Sequence, residues 1–451
     1  MKAFLLCNDR QEKMFPFDKH YQINSLPILN KEMIFWQIEE LLTSGISEQD
    51  IYVFLNYKAD QTRRLLKKYK NIQYVEPNIG LDAFLRAGSE PFEEGVIIQK
   101  GNYLVKSNDL ASLLESKEFS SVLVTNKKQE SIDMIGAQVK NNHVVKFLAH
   151  ARDHYVTSEV SGVYKLDKEA LESIAYTNYG FNQRVTGSMI PNRLFLENGL
   201  NDYLKEGNKI QAVFAQEKVY NLQFPWDILN VNIDCLKEYT QEIKKNTLDD
   251  YSFISEEATV NGHVVLGKNS FIGKNVTING NVVVGNNVEI ATGAIINGPA
   301  LIGDHSYIKD YAKIEPNTVI GYENRIGHNA EIEGVTMQGI SAIHYSEMYG
   351  VIGQYVDIAA ACVCGILRFD DTRQTHRING RSYSDKYSNA VFIGDYTRTG
   401  VNNVFFPGVK VGSECALYPG LNVEKDVSHE TLLIKKEEHI EKEWGNQRYG
   451  W

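Results

Sequence analysis

Residues 254–290 read ISEEATVNGHVVLGKNSFIGKNVTINGNVVVGNNVEI, and in them every sixth position is isoleucine, valine or leucine. The phase holds without a slip from Ile254 through Val260, Leu266 and Ile272 to Ile332. Two positions earlier stands a small or β-branched residue, as at Ala258, Val264, Ser270, Val276, Val282, Val288, Ala294, Ala300, Ser306, Ala312 and Thr318. Two inward-facing side chains therefore recur in each six, a phase that neither an α-helix nor an ordinary strand keeps.

A fixed short period signals a solenoid, whose units bury their apolar face only by stacking on one another. Glycine or asparagine often follows the large apolar residue (Gly267, Gly273, Asn279, Gly285, Asn297, Gly303, Gly321, Gly327), and the expectation is that these take the positive φ of a sharp corner. The stretch resembles the hexapeptide-repeat proteins, which implies a left-handed parallel β-helix turning once per three repeats. A second run, Ile352, Ile358, Ile393, Thr399, Phe405, Val411, Leu417 and Val423, resumes the register after an interruption between about Cys364 and Ala390 that reads as a loop thrown out of the coil.

The length of 451 residues exceeds one typical core and predicts more than one domain. A formal charge of -10, with lysine and arginine dispersed, argues against nucleic acid as a partner. With no N-terminal apolar segment and no run long enough to span a bilayer, the expectation is a cytoplasmic protein without membrane insertion. The five cysteines (Cys7, Cys235, Cys362, Cys364, Cys415) are scattered and odd in number, and read as reduced thiols.

Upstream of the repeat, short apolar runs at residues 2–6, 51–55, 95–98 and 121–124 read as buried strands. Residues 31–42 place their apolar side chains at helical spacing before Gly45. That alternation predicts a parallel α/β sheet. The expected division is an α/β domain over 1–225, a linker helix over 226–250, a β-helix over 251–427 and a charged tail over 428–451. The tail is expected to form a short helix and to cap the solenoid with Trp444, Tyr449 and Trp451.

The segments KAFLLCNDR (2–10) and LPILNKEMIFWQIEELLTSGI (26–46), Gly80 to Ala83, Ser161-Gly162-Val163-Tyr164, and PWDILNVN (225–232) together resemble the sugar-1-phosphate nucleotidyltransferases. The resemblance implies a Rossmann-like nucleotide-binding domain using Mg²⁺, with Gly80, Gly162 and Asp227 as its surviving marks. Several groups that the family uses are replaced. The phosphate loop here is Cys7-Asn8-Asp9-Arg10-Gln11, without glycine; the family lysine falls among Gln22, Ile23, Asn24 and Ser25; and its metal-binding aspartate falls on Asn102. Asp227 is the remaining candidate Mg²⁺ ligand, and the reading of it as the cap of the linker helix is the stronger of the two.

The two halves together resemble the bifunctional enzymes that acetylate glucosamine-1-phosphate and then join it to a nucleotide, with archaeal-type relatives matching best through PWDILNVN and LRFDD (367–371). The resemblance implies that His344, in SAIHYSEMYGVIG (341–353), is the general base that takes the proton of the attacking amine, a task suited to the ordinary pKa of histidine. It implies acyl-CoA, acetyl-CoA foremost, as co-substrate, with Ala360, Gly400 and Val401 along its groove. It places Arg368 and Asp370 in a Leu-Arg-x-Asp turn that binds substrate or pairs internally. Two positions differ: the family lysine beside the sugar phosphate falls at Glu333, and an asparagine falls at Ile366. A carboxylate beside a phosphate is repulsive, so the acceptor is expected to be an uncharged or cationic amino sugar.

The expected function is acyl transfer from acyl-CoA to an amino group of a sugar, sugar phosphate or sugar nucleotide, carried out by a homotrimer. The alternatives are a sugar-1-phosphate nucleotidyltransferase with a rebuilt site, and a non-catalytic protein that binds sugar nucleotide as a scaffold.

Overall fold

In a computed structural model of the protein, the described residues are 1–7, 10–88, 92, 94–126, 134–149, 156–177, 196–437, 440–442 and 444. The chain divides into two compact units, Met1–Cys235 and Leu236–Trp451.

The second unit is a parallel β-helix. Short strands pair in register with the next coil, Phe253–Ile254 on Phe271–Ile272, then Glu289–Ile290, Tyr307–Ile308 and Arg325–Ile326. Hydrogen bonds between coils span 18 residues, as from Asn261 to Asn279, so three six-residue units make one turn. This is the left-handed β-helix that the repeat predicts. The sixfold apolar residues line its axis, and Ile272, Ile278, Ile290, Ile296, Ile302, Ile308, Ile314, Ile320 and Ile326 are fully buried. Each such side chain taken from water contributes about 1.5–3 kcal/mol.

The corners differ from expectation. Positive φ falls two residues after the predicted glycines, at Asn269, Asn275, Asn287, His305, Glu323 and Asn329. The glycines serve close stacking instead: a Cβ on Gly267 would lie 2.6 Å from the backbone of Gly285, one coil away.

The strict phase ends after Ile332 because the next coil is shorter: Arg325 pairs with Ser341, and Ile332 with Met348. Glu331–Thr336 and Glu347–Ile352 run straight through what had been a corner, bending only at Gly334 (φ 112) and Gly350 (φ 141). The interruption is a loop, as expected. Within it His376–Ile378 and Arg381–Tyr383 form a hairpin, after which Val391–Ile393 rejoins Glu347–Ile352. Among the described tail residues no helix forms and Trp444 is exposed, while Tyr449 and Trp451 lie outside the described residues.

The first unit contains a nine-stranded sheet. Gln73–Val75, Ile51–Phe54, Lys2–Leu6 and Val96–Lys100 are parallel neighbours, joined by helices such as Met33–Thr43. The sheet is mixed rather than parallel, since Ser158–Leu166 enters antiparallel between Val96–Lys100 and Ser121–Asn126. Among the described residues the connection to it is the hairpin of Ile135–Lys140 and His143–Ala149, and none of them form the crossover helix that a parallel neighbour requires. The predicted linker helix spans Pro225–Gln241.

Candidate active site

One edge of the β-helix carries the residues of interest. Its corner positions in successive coils are Asn275, Gly293, Tyr311, Asn329, Tyr345, Ala361, Asn402 and Gly420, the non-glycine members all at positive φ. Backbone bonds knit the edge together: Ala361 N donates to His344 O at 3.1 Å, and Asn402 N to Ala360 O at 3.0 Å. His344, Ala360 and the Gly400-Val401 corner, far apart in sequence, therefore stand in consecutive coils on a single line.

His344 is exposed and opens into a cavity of about 670 Å³. The preceding coils supply Lys309, Asp310, Tyr311, Arg325 and His328 to its wall. The rings of His328 and His344 are in contact, with centroids 4.8 Å apart and planes inclined at 41°. His328 Nε2 lies 3.4 Å from Tyr345 Oη. Gly327 lets the coils approach here, because a Cβ on it would lie 2.8 Å from His344 N.

Glu333 occupies the adjoining face. Asn261, Asn279, Asn297 and Glu315 form a side-chain ladder, and Glu333 is its next rung, paired in register with Tyr349. Partial burial and the charges of Glu315 and Glu331 raise the Glu333 carboxyl above its ordinary range. Lys313, which bonds both Glu315 and Glu331, is one cation among three carboxylates. This face repels an anion.

Arg368 and Asp370 lie in the loop and engage each other through two bonds of 3.1 Å, with Gln374 Oε1 accepting another from Arg368 at 2.6 Å. The guanidinium holds the Asp370 carboxyl well below the usual carboxylate range. The neighbouring Leu367 and Phe369 are exposed.

In the first unit the nucleotide-binding marks have structural partners. Asp227 Oδ2 accepts from Gln223 N and Phe224 N, each at 2.8 Å, so the carboxylate secures the start of its helix. Gly80 precedes the helix Leu81–Ala87. Gly162 (φ 68) passes under Tyr103, whose ring a Cβ would meet at 2.3 Å. Asn102 donates to Asn221, which donates to Tyr103 Oη. Cys7 is sealed beneath the turn Ile23–Ser25, with Asn24 donating to its sulfur at 3.3 Å, and burial pushes its thiol up to about 12. Asn8 and Asp9 of that loop lie outside the described residues. Among the described residues no group of three histidine, cysteine, aspartate or glutamate side chains is placed to hold a metal. Asp227 Oδ2 and the Asn102 amide are thus engaged within the protein.

Sequence reasoning missed His328, Arg325, Lys309 and Tyr311. The signal was the coil length: His328 lies one shortened coil before His344. It also missed Glu197, buried against Lys100 and Tyr164. Burial alone would raise that carboxyl, yet these partners bring it below its ordinary value.

Comparison with known proteins agrees with this architecture. The GMPPB C-terminal domain family matches residues 260–366. Over 98% of its length the chain is 23% identical to the Bifunctional protein GlmU of Methanocaldococcus jannaschii, covering 99% of that protein. It is 26% identical to the Bifunctional sugar-1-phosphate nucleotidylyltransferase/acetyltransferase of Sulfurisphaera tokodaii, over 95% of this chain and 98% of the relative. A GlmU protein of Methanococcus maripaludis matches at 23%, over 98% of both chains. With its α/β unit and its β-helix, the chain is thus a distant homologue, along nearly its entire length, of the archaeal bifunctional sugar-1-phosphate nucleotidyltransferase and acetyltransferase proteins.

Proposed function

We propose that the protein is a transferase that moves an acyl group from acyl-CoA, acetyl-CoA foremost, to an amino group of a sugar derivative. The observation that carries this reading is the alignment of His344, Ala361 and Asn402 on one bonded edge, beside a cavity of about 670 Å³. The volume lies within the roughly 300–1,000 Å³ of small-molecule sites. The amine nitrogen attacks the thioester carbonyl, His344 takes the proton that the amine sheds, and the C–S bond breaks as CoA leaves as a thiol. Histidine performs this proton transfer near neutral pH without special tuning.

The name of the Sulfurisphaera tokodaii relative, which includes an acetyltransferase, supports this reading, and the β-helix is the half to which the activity is assigned here. Ala360, Gly400 and Val401 are assigned to the acyl-CoA groove, and Arg368 and Asp370 to the loop that interrupts the coil. No helix among the described residues is long and apolar enough to cross a membrane. A homotrimer suits the fold because the flat faces of a three-sided coil present long surfaces, one carrying the exposed stacked pair Phe253 and Phe271. Light scattering would return three times the chain mass, and a monomer at micromolar concentration would exclude a shared site.

The decisive experiment is a thiol-release assay of the full chain across acyl-CoAs and amino sugars, beside His344→Ala. Turnover that depends on His344 supports the reading. Turnover indifferent to it removes the base assignment, and absence of any acyl-CoA binding makes the scaffold reading the better one. The internally bonded Asn102, Asp227 and Cys7 favour that second reading for the first unit, as a domain that binds sugar nucleotide without transferring it.

A further inference from the structure

The wall of the His344 cavity holds more cationic charge than proton transfer requires. Tyr307 pairs in register with Arg325, and the Lys309 ammonium sits 3.8 Å from the centre of the Tyr307 ring. Both cations line the cavity. Adjacent strands of a sheet lie about 4.8 Å apart, so the two basic side chains spring from neighbouring coils. Neither forms an ion pair among the described residues. The stack on Tyr307 fixes the ammonium, while the exposed arginine presents a planar fork suited to two oxygens of one anion. His328 adds a third donor where His344 touches it. Among the described residues, Asp310 is the acid that lines this wall.

We propose that this cavity binds a phosphoryl or diphosphate group of the reacting small molecule. Arg325 grips it as a fork, Lys309 supplies a point charge and His328 donates a hydrogen bond, which places the rest of the molecule beside His344. The catalytic meaning of the site rests on the acyl-transfer reading; the binding does not. The glutamate face at Glu315, Glu331 and Glu333 excludes an anion, so the corner cavity is where a phosphorylated substrate is anchored. The anion belongs either to the acceptor, as a sugar phosphate or sugar nucleotide, or to the phosphates of CoA.

The test is calorimetric titration of the full chain with inorganic pyrophosphate. Saturable binding is expected, weakening with added salt. Arg325→Ala and Lys309→Ala should each weaken it roughly 10-fold or more, with Arg325→Lys intermediate, as loss of a charge-assisted contact implies. Arg325 is exposed, and an unchanged melting curve would show that its variants fold. Titration in the presence of saturating CoA, and separately of glucosamine-6-phosphate, identifies the source of the anion by which of them displaces pyrophosphate. Absence of pyrophosphate binding by the wild type, or binding equal in Arg325→Ala, overturns the proposal. His344-dependent thiol release alongside such equality would sink the anion site and leave acyl transfer standing. Arg325-dependent binding without any thiol release would do the reverse.

Discussion

The backbone N–H of Ala361 donates to the carbonyl of His344 at 3.1 Å, so the candidate base and the candidate acyl-CoA edge belong to consecutive coils of one corner. The contact is covalently remote and mechanically close. Any molecule lying along this edge passes the imidazole of His344.

His344 is exposed, and its ring supports no buried packing. His344→Ala should therefore leave the fold and CoA affinity near normal while lowering kcat by roughly 10²–10⁴-fold, the usual scale for a positioned general base. Thiol release with the best acyl-CoA and amino sugar pair measures it, and an unchanged kcat removes His344 from the mechanism.

Ala361 holds φ 57, where a Cβ is sterically penalised. The position equivalent to it one coil beyond Asn402 is Gly420, at φ 71. Ala361→Gly should stabilise the β-helix by about 1 kcal/mol, the relief of left-handed strain less the extra freedom of unfolded glycine. That corresponds to a rise of about 2–4 °C in Tm. A lower Tm would mean that the methyl group is packed and needed.

Asp395 is fully buried. Its Oδ1 accepts from Gln354 N at 2.8 Å, as Asn286 Oδ1 accepts from Lys268 N at 2.9 Å. Burial pushes the Asp395 carboxyl up from 3.8 to about 7. The folded state thus keeps a proton that the unfolded chain gives up, and this contribution to stability is complete below pH 3.8 and lost as pH rises through about 7. Asp395→Asn should match wild type near pH 4 and exceed it at pH 8 by on the order of 2–4 kcal/mol. Melting curves at the two pH values decide this, and parallel curves would count against a buried charge at high pH.

Glu333→Lys should turn a repulsive face into an attractive one. Its ammonium would meet Glu315 and Glu331, raising stability at neutral pH, and would present a cation toward a phosphorylated acceptor. The KM for glucosamine-1-phosphate should fall relative to that for glucosamine. An unchanged ratio would show that the acceptor does not reach Glu333.

The full chain should release no pyrophosphate from nucleoside triphosphates and hexose-1-phosphates with Mg²⁺. Phosphoryl transfer depends on positioned cations and metal, whereas Asp227 is spent on two backbone N–H groups and the position of the expected lysine is a neutral, self-bonded turn. Robust pyrophosphate release would restore nucleotidyl transfer to this unit.

The amino-acid sequence alone determined the β-helix, because a six-residue period of buried isoleucine and valine from Ile254 to Ile332 has one economical packing, in coils that cover each other. It also determined where the coil would be interrupted, and marked the first strands and helix of the α/β unit through their local patterns. The antiparallel entry of Ser158–Leu166 was not legible, because strand direction depends on how the chain returns rather than on which residues it contains. The role of Gly267 was misread for a related reason: closeness to Gly285 in the next coil is a tertiary fact, while positive φ is a local one. The candidate site divides in the same way. His344, Glu333 and Ala360 were visible through motif resemblance, but Lys309 and Arg325 became neighbours through the regular stacking of coils, and His328 met His344 only once the shortened coil set the register. The period of the repeat says that residues one coil apart are stacked, but whether a coil spans 18 or 16 residues, and so which polar side chains share a wall, is settled only by the stacking itself.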